Sequence, residues 1–342
     1  MYLVTGGAGF FGEVLVSRLL EEGHKVVSFD LNRPHFEHKN LKIFQGDIRD
    51  KQAVASSLEG VKVVHHNVAQ VPAAKNIELF WSVNRDGMKV LLEEALKVRV
   101  KRIVYTSSSA VFGIPQRTPV TTQSTPRPTE DYGMAKLAGE NLCHEYAKKG
   151  LSCSIIRPRT VLGSGRLGIF QILFEWIYQG LNVPVLGKGD NIYQFVHADD
   201  LATACIAAGD AEHEGVFNIG TDRYGSMREV LENLVKHAGT NSLVKSVPAK
   251  IAEIGMNITS AVGLSPLGPY HSLMYGRSMY FDAEEAKSSL GFEPKYSNDE
   301  MFAATYDWYC DNRTAIITGE IAGSKHQSAM KQKILQIVPF FL

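Results

Sequence analysis

The chain has 342 residues, 44% apolar and 21% charged, a composition that fits a globular protein long enough for two domains. Its 36 basic and 36 acidic side chains cancel, which removes any overall attraction to nucleic acid or an anionic membrane. No apolar run reaches the roughly 20 residues that a spanning helix needs, so no transmembrane segment is expected.

Met1 opens directly into an apolar strand, Tyr2-Leu3-Val4, leaving no signal peptide ahead of the fold. Met1–Thr5, Lys25–Asp30, Leu41–Gln45, Val61–His66, Arg102–Ser107 and Ser152–Arg157 read as strands. Helical stretches lie between several of them, at Phe10–Glu22, Lys51–Leu58, Asn76–Val98 and Asp131–Lys149. Strands alternating with helices predict an α/β Rossmann fold, a doubly wound parallel sheet covered on both faces. After Pro158 the character changes. Gly163–Gly168 reads as a flexible loop and Ile169–Gln179 as a helix. Helices follow at Asp199–Ala208, Met227–His237, Ala249–Val262, Ala283–Leu290 and Asp299–Asp311, with a strand at Val216–Ile219. No clean linker separates the halves. The expected division is a nucleotide-binding domain over 1–160 with a returning segment near 190–220, and a smaller interleaved substrate-binding domain over 161–189 and 221–315. The remaining tail, 316–342, ends in the apolar run Ile334–Leu342. That run is too short to span a membrane and Pro339 interrupts it, so it reads as packed on the body or on a partner subunit.

Cys143, Cys153, Cys205 and Cys310 are scattered, with no pair at metal-ligand spacing. They read as reduced thiols of a cytoplasmic protein, with no metal site.

Thr5-Gly6-Gly7-Ala8-Gly9-Phe10-Phe11-Gly12 joins the first strand to the first helix. Gly6, Gly9 and Gly12 let the backbone turn tightly and approach a pyrophosphate, and the helix that starts at Phe10 and Phe11 presents free N–H groups to it. This is the context in which a glycine pattern of this kind reads as a dinucleotide site. Asp30, ending the second strand, can accept from both adenosine ribose hydroxyls and would repel a 2′-phosphate. NAD is therefore the expected cofactor; Arg33 keeps NADP as the alternative. Asp47 follows the third strand and is placed to accept from the adenine amino group, or else to cap a helix. Asn32 and Ile48 complete the expected contacts on this side.

Tyr132-Gly133-Met134-Ala135-Lys136 puts a phenol and an ammonium four residues apart, on one helix face. The ammonium lowers the phenol pKa and can hold the nicotinamide ribose; the phenol can then exchange a proton with a carbinol oxygen. Thr106-Ser107-Ser108-Ser109 ends the preceding strand, where parallel sheets place their sites, and supplies a hydroxyl for the reacting oxygen.

With Gly46-Asp47, His66–Gln70, Val83-Asn84, Thr106–Gly113, Arg157-Pro158, Phe195–Asp200 and Leu290–Pro294 in order along the chain, the sequence resembles the extended short-chain dehydrogenases/reductases of the NAD-dependent epimerase/dehydratase family. The resemblance implies Tyr132 as acid/base, Lys136 as its partner and Ser108 as the third member. Ser108 is chosen by aligning Val111-Phe112-Gly113 with the family's Val-Tyr-Gly, with Ser107 as fallback. Val68 and Ala69 are implied in the cofactor cleft and Pro158 near the nicotinamide. Asn84 and His197 are implied as structural. A homodimer through Asn76–Val98 and Asp131–Lys149 is implied as well.

A dehydrogenase, an epimerase and a 4,6-dehydratase are the family's outcomes. Ser108-Ser109-Ala110 stands where dehydratases carry Thr-Asp-Glu, which argues against dehydration. Sugar nucleotides are the implied substrates, but many relatives anchor the diphosphate with an arginine two residues before Phe195, where this chain has Tyr193. Arg166, Lys188 and Arg277 are the stand-ins. A steroid- or dihydroflavonol-type dehydrogenase is the alternative, and a redox-silent NAD-binding regulator is the reading from another class.

Overall fold

In the computed structural model, which describes residues 1–70, 76–168, 170–248 and 276–319, the apolar runs of the first half form one parallel sheet. Its strands are β1 (Tyr2–Thr5), β2 (Val26–Asp30), β3 (Leu41–Gln45), β4 (Val63–His66), β5 (Arg102–Thr106) and β6 (Cys153–Pro158), joined by a later strand, β10 (Val216–Ile219). The order is β3-β2-β1-β4-β5-β6-β10, and each neighbouring pair is parallel. Continuous Val, Ile and Leu runs are what a strand buried on both faces requires. One face is covered by α1 (Phe10–Glu21) and α7 (Ala198–Asp210), where Leu15, Leu19, Leu201 and Cys205 pack. The other is covered by α2 (Lys51–Ser57), α4 (Met88–Lys97) and α5 (Asp131–Ala147), through Val54, Leu91, Leu92 and Cys143. The strand order reverses between β1 and β4, so the loops leaving them part there and open a crevice at their carboxyl ends.

A separate core gathers α6 (Phe170–Tyr178), β8 (Val183–Leu186), α8 (Met227–Ala238) and α10 (Asn298–Thr318) around Phe174, Phe195, Leu231 and Phe302. Two small parallel sheets serve it: β7 (Thr160–Leu162) with β9 (Phe195–His197), and β8 with β11 (Val244–Val247). The segment expected to return near 190–220 divides. Only β10 joins the large sheet, while β9 pairs with β7.

Other expectations shift at their edges. The helix expected over Asn76–Val98 is three pieces: α3 (Ile77–Trp81), a π-helical turn at Ser82–Gly87, and α4. The last helix runs to Thr318, past both Asp311 and the expected boundary at 315. A capping box at its start, Ser297 with Glu300, fixes the other end. The helix expected over Ala249–Val262 and the apolar tail lie outside the described residues. Among the described residues no helix is long and apolar enough to cross a membrane.

Candidate active site

The glycine turn sits at the crevice between β1 and β4. Gly6 N–H donates to the Phe29 carbonyl at 2.8 Å, and Gly9 N–H to the Gly6 carbonyl at 3.0 Å. A Cβ on Gly12 would stand 1.9 Å from the Gly6 carbonyl oxygen, closer than two atoms can approach. The first turn of α1 therefore lies directly on the loop, and only glycine permits it. Gly9 caps α1 without a side-chain acceptor, so the opening N–H groups are offered to an anion. The cradle thus fits a dinucleotide pyrophosphate. Gly12→Ala forces the loop and helix apart; overpacking of this kind costs about 1–3 kcal/mol. The expected result in a thermal melt is a less stable protein whose Tm no longer rises with added NAD.

Asp30 braces this turn. Its carboxylate accepts from the Ala8 N–H at 3.2 Å and from the Asn32 N–H at 3.0 Å. Those bonds hold the carboxylate beside the phosphate-binding turn and leave lone pairs for ribose hydroxyls. Arg33 and Asn32 are exposed on the same rim. Asp47, expected at the adenine, is held by a neighbouring guanidinium. Both its oxygens accept from Arg49, at 2.9 Å and 2.5 Å, and the guanidinium holds its carboxyl below the usual carboxylate range. Ile48 is buried. Val68 lies against the turn, its backbone nitrogen 3.0 Å from where a Gly6 Cβ would sit. Asn84 grips the backbone of Gln70 from both sides, Oδ1 accepting from its N–H at 2.9 Å and Nδ2 donating to its carbonyl at 3.1 Å. The structural role implied for Asn84 is the one its contacts describe: the π-helical turn carries it in to fix the Val68-Ala69-Gln70 loop.

The catalytic candidates converge across this crevice. Glu130 caps α5, accepting from the N–H groups of Tyr132 and Gly133 at 2.8 and 2.7 Å. Gly133 lets the helix touch the turn after β5: a Cβ there would meet the Ala110 carbonyl at 2.4 Å. That contact brings Tyr132 toward Ser108, close enough for the serine hydroxyl to pull the phenol pKa down. Sequence reasoning missed Gly133, although it stands inside the tyrosine–lysine motif. Ser107, the fallback, donates its hydroxyl to Glu140 at 2.6 Å instead. The structure thereby separates the two serines.

Lys136 is buried beneath Tyr132. Its ammonium donates to the Thr106 carbonyl at 2.7 Å and lies 5.8 Å from the Tyr132 ring centroid. Burial pulls its pKa down to about 8, against a smaller opposing pull from Glu140. Burial raises the Tyr132 phenol; the Arg166 charge and the Ser108 hydroxyl work against that rise. His66 is held neutral by burial and by Lys136, its pKa down to about 3.

Of the three cations considered as stand-ins for the missing arginine, Arg166 reaches the site, 5.6 Å from the Phe10 ring and felt by Tyr132. Lys188 belongs to the turn beyond β8, where its carbonyl accepts from Arg228. Arg277 is exposed. Tyr193 itself is buried, its hydroxyl 3.1 Å from that of Thr160. Pro158 ends β6 in register with Ile219. His197 caps α7, accepting from the Asp199 N–H at 3.3 Å, and stacks on Tyr296 at 3.9 Å. Those contacts employ it in the fold.

The model of the NAD dependent epimerase/dehydratase family matches residues 2–220. An uncharacterised protein of Sinorhizobium fredii is 52% identical over 99% of this chain and 86% of its own length. The mouse sterol-4-alpha-carboxylate 3-dehydrogenase (decarboxylating) is 26% identical over 88% of this chain and 89% of its own. The UDP-glucose 4-epimerase of Thermotoga maritima, solved with UDP-glucose, superposes with a TM-score of 0.75. It is 25% identical, over 91% of this chain and 99% of that one.

Proposed function

Because the chain belongs to the NAD-dependent epimerase/dehydratase family and so is an NAD-dependent enzyme, we propose that Tyr132, Lys136 and Ser108 carry its chemistry at a carbinol or ketone carbon of a sugar nucleotide. The observation that carries this reading is the buried Lys136 ammonium, donating to the Thr106 carbonyl at 2.7 Å and 5.8 Å from the Tyr132 ring centroid, on the helix that Gly133 lets touch the turn bearing Ser108.

Gly6, Gly9 and Gly12 and the start of α1, with Phe10 and Phe11, would hold the pyrophosphate, and Asp30 would take the adenosine ribose. Asn32, Asp47 and Ile48 border the adenine side. Val68, Ala69 and Pro158 line the nicotinamide side. When bound, NAD supplies the acceptor and donor of a hydride. The chain's residues handle the proton. Ser108 orients the substrate oxygen, and the Tyr132 phenolate takes the proton from it as the carbon is oxidised. Tyr132 returns that proton on reduction. Lys136, 5.8 Å from the Tyr132 ring centroid, supplies a positive charge on the same side of the site. Arg166 sets a positive charge toward the same phenol, and we assign it the substrate diphosphate.

Calorimetry on the NAD-loaded protein with UDP, TDP, GDP and CDP tests the substrate class. Binding of one of them supports the sugar nucleotide; failure of all four removes it. A second reading, a steroid-type dehydrogenase, draws on the buried Tyr193 in place of an arginine and on the likeness to the sterol enzyme. We place the protein in the cytoplasm, which its free cysteines favour. A homodimer through α3–α4 and α5 is the assembly favoured by the exposed Ile77, Val98 and Met134 on those helices.

A further inference from the structure

Arg159 is 2% exposed, yet among the described residues its Nε and Nη2 have no hydrogen-bond partner. It follows Pro158 at the junction of β6 and β7, fixed by its own N–H donating to the Ile219 carbonyl at 2.9 Å. Its Nη1 donates to Ser109 Oγ at 2.9 Å. The guanidinium carbon lies 4.6 Å from the Tyr193 ring centroid and 5.7 Å from that of Phe281. Cation–π contacts of that kind recover only part of what it costs to take a guanidinium out of water. A buried cation without an anion calls for a ligand.

The orphaned edge says which anion. Nε and Nη2 form the side of the guanidinium that grips a carboxylate with two parallel bonds. Three other arginines among the described residues use that same edge, Arg49 on the exposed Asp47 and two more deeply placed. Arg157 meets Glu140 through Nε at 2.9 Å and Nη2 at 2.7 Å. Arg313 meets Glu175 through Nε at 2.8 Å and Nη2 at 2.7 Å. On Arg159 the corresponding edge meets no carboxylate among the described residues.

Position says where the anion belongs. Ser109, which Arg159 holds, is the next residue after Ser108, the serine proposed to act with Tyr132. Consecutive Cα atoms are about 3.8 Å apart. Arg159 is thereby tied to the turn that carries Ser108, one residue from the proposed reaction site.

We propose that Arg159 binds a carboxylate borne by the substrate on the carbon next to the one oxidised. The inference rests on Ser108 and Tyr132 being the reaction site, and it selects acidic substrates over their neutral counterparts. Ser109 and Thr160, both only partly buried, flank the approach. A planar, always-charged fork is the side chain that makes this discrimination; lysine keeps the charge and loses the two-point grip.

The test is calorimetry on the NAD-loaded protein with UDP-glucuronic acid against UDP-glucose, in wild type, Arg159→Met and Arg159→Lys. The expected result is a preference of at least tenfold for the acid in wild type. Arg159→Met loses that preference and keeps its affinity for UDP-glucose, and Arg159→Lys retains part of the preference. Arg159→Met is also expected to melt no lower than wild type without ligand, because it removes an unpaired buried charge. Equal binding of the two sugars by wild type overturns the inference while leaving the sugar-nucleotide reading intact, and so does a preference that survives Arg159→Met. Should Arg159→Met fail to fold, the wild-type comparison decides alone. If neither UDP-sugar nor UDP binds, the sugar-nucleotide reading fails. The same comparison with a 3β-hydroxysteroid bearing or lacking a carboxylate on the adjacent carbon then decides for Arg159, and equal binding there overturns it.

Discussion

Tyr132→Phe is expected to lower kcat by about a thousandfold, the scale of losing a positioned proton carrier, while NAD affinity stays within twofold of wild type. The phenyl ring keeps the packing of α5 on the turn after β5. What disappears is the hydroxyl that meets Ser108 and exchanges the proton. A loss confined to KM would show that the phenol only positions substrate, and equal turnover would remove Tyr132 from the chemistry. The pH profile carries a further signature. Lys136 titrates at about 8 because it is buried, so the ammonium that holds phenolate and ribose is lost above that pH. NAD binding is expected to weaken as the pH rises through about 8, and Lys136→Met to remove that limb.

Stability moves the other way. The Lys136 pKa lies below its ordinary value of 10.5, so between about 8 and 10.5 the unfolded chain carries a proton that the folded one has shed. Folding is therefore stabilised as pH rises across that window and penalised by about 3 kcal/mol below it. The site holds a charge that the fold alone would not keep, the usual relation between preorganised chemistry and stability.

Most of this site was legible because its parts are local. A glycine turn between a strand and a helix, an acid ending the second strand, and a phenol four residues before an amine each occupy one short segment, and local geometry places them. Ser108 against Ser107 is a different kind of question. The two are adjacent, so strand alternation sends their side chains to opposite faces, and only the position of Glu140 on α5 reveals which face is taken. The strands β7, β8, β9 and β11 have three or four residues each, too few for a period to show, and exist by virtue of partners distant in sequence. The π-helical turn at Ser82–Gly87 is invisible to a helical pattern because its cause is a backbone contact to Gln70. Arg159 reads in sequence as one more basic residue; only the structure shows that its Nε and Nη2 meet no hydrogen-bond partner among the described residues.

Glu140 is where fold and chemistry are most tightly joined. It is 1% exposed on α5, accepts both bonds from Arg157 on β6, and accepts the Ser107 hydroxyl from the end of β5. Three elements that carry the catalytic groups thus meet at one carboxylate. Glu140→Gln leaves Arg157, itself 4% exposed, as a buried cation without its anion. Breaking one side of such a pair costs about 3–5 kcal/mol. For a chain of this size that is a fall in Tm of about 4–7 °C, to be read by calorimetric melting. The double replacement Glu140→Leu with Arg157→Met removes both charges and is expected to recover most of that loss. Turnover is not expected to recover with it. Glu140 supports the charge on Lys136, one helical turn away, against burial. Without the carboxylate the lysine titrates lower, and the alkaline limb of NAD binding moves to lower pH in both variants. A double variant that regained stability and kept the wild-type limb would show that Glu140 serves the fold alone.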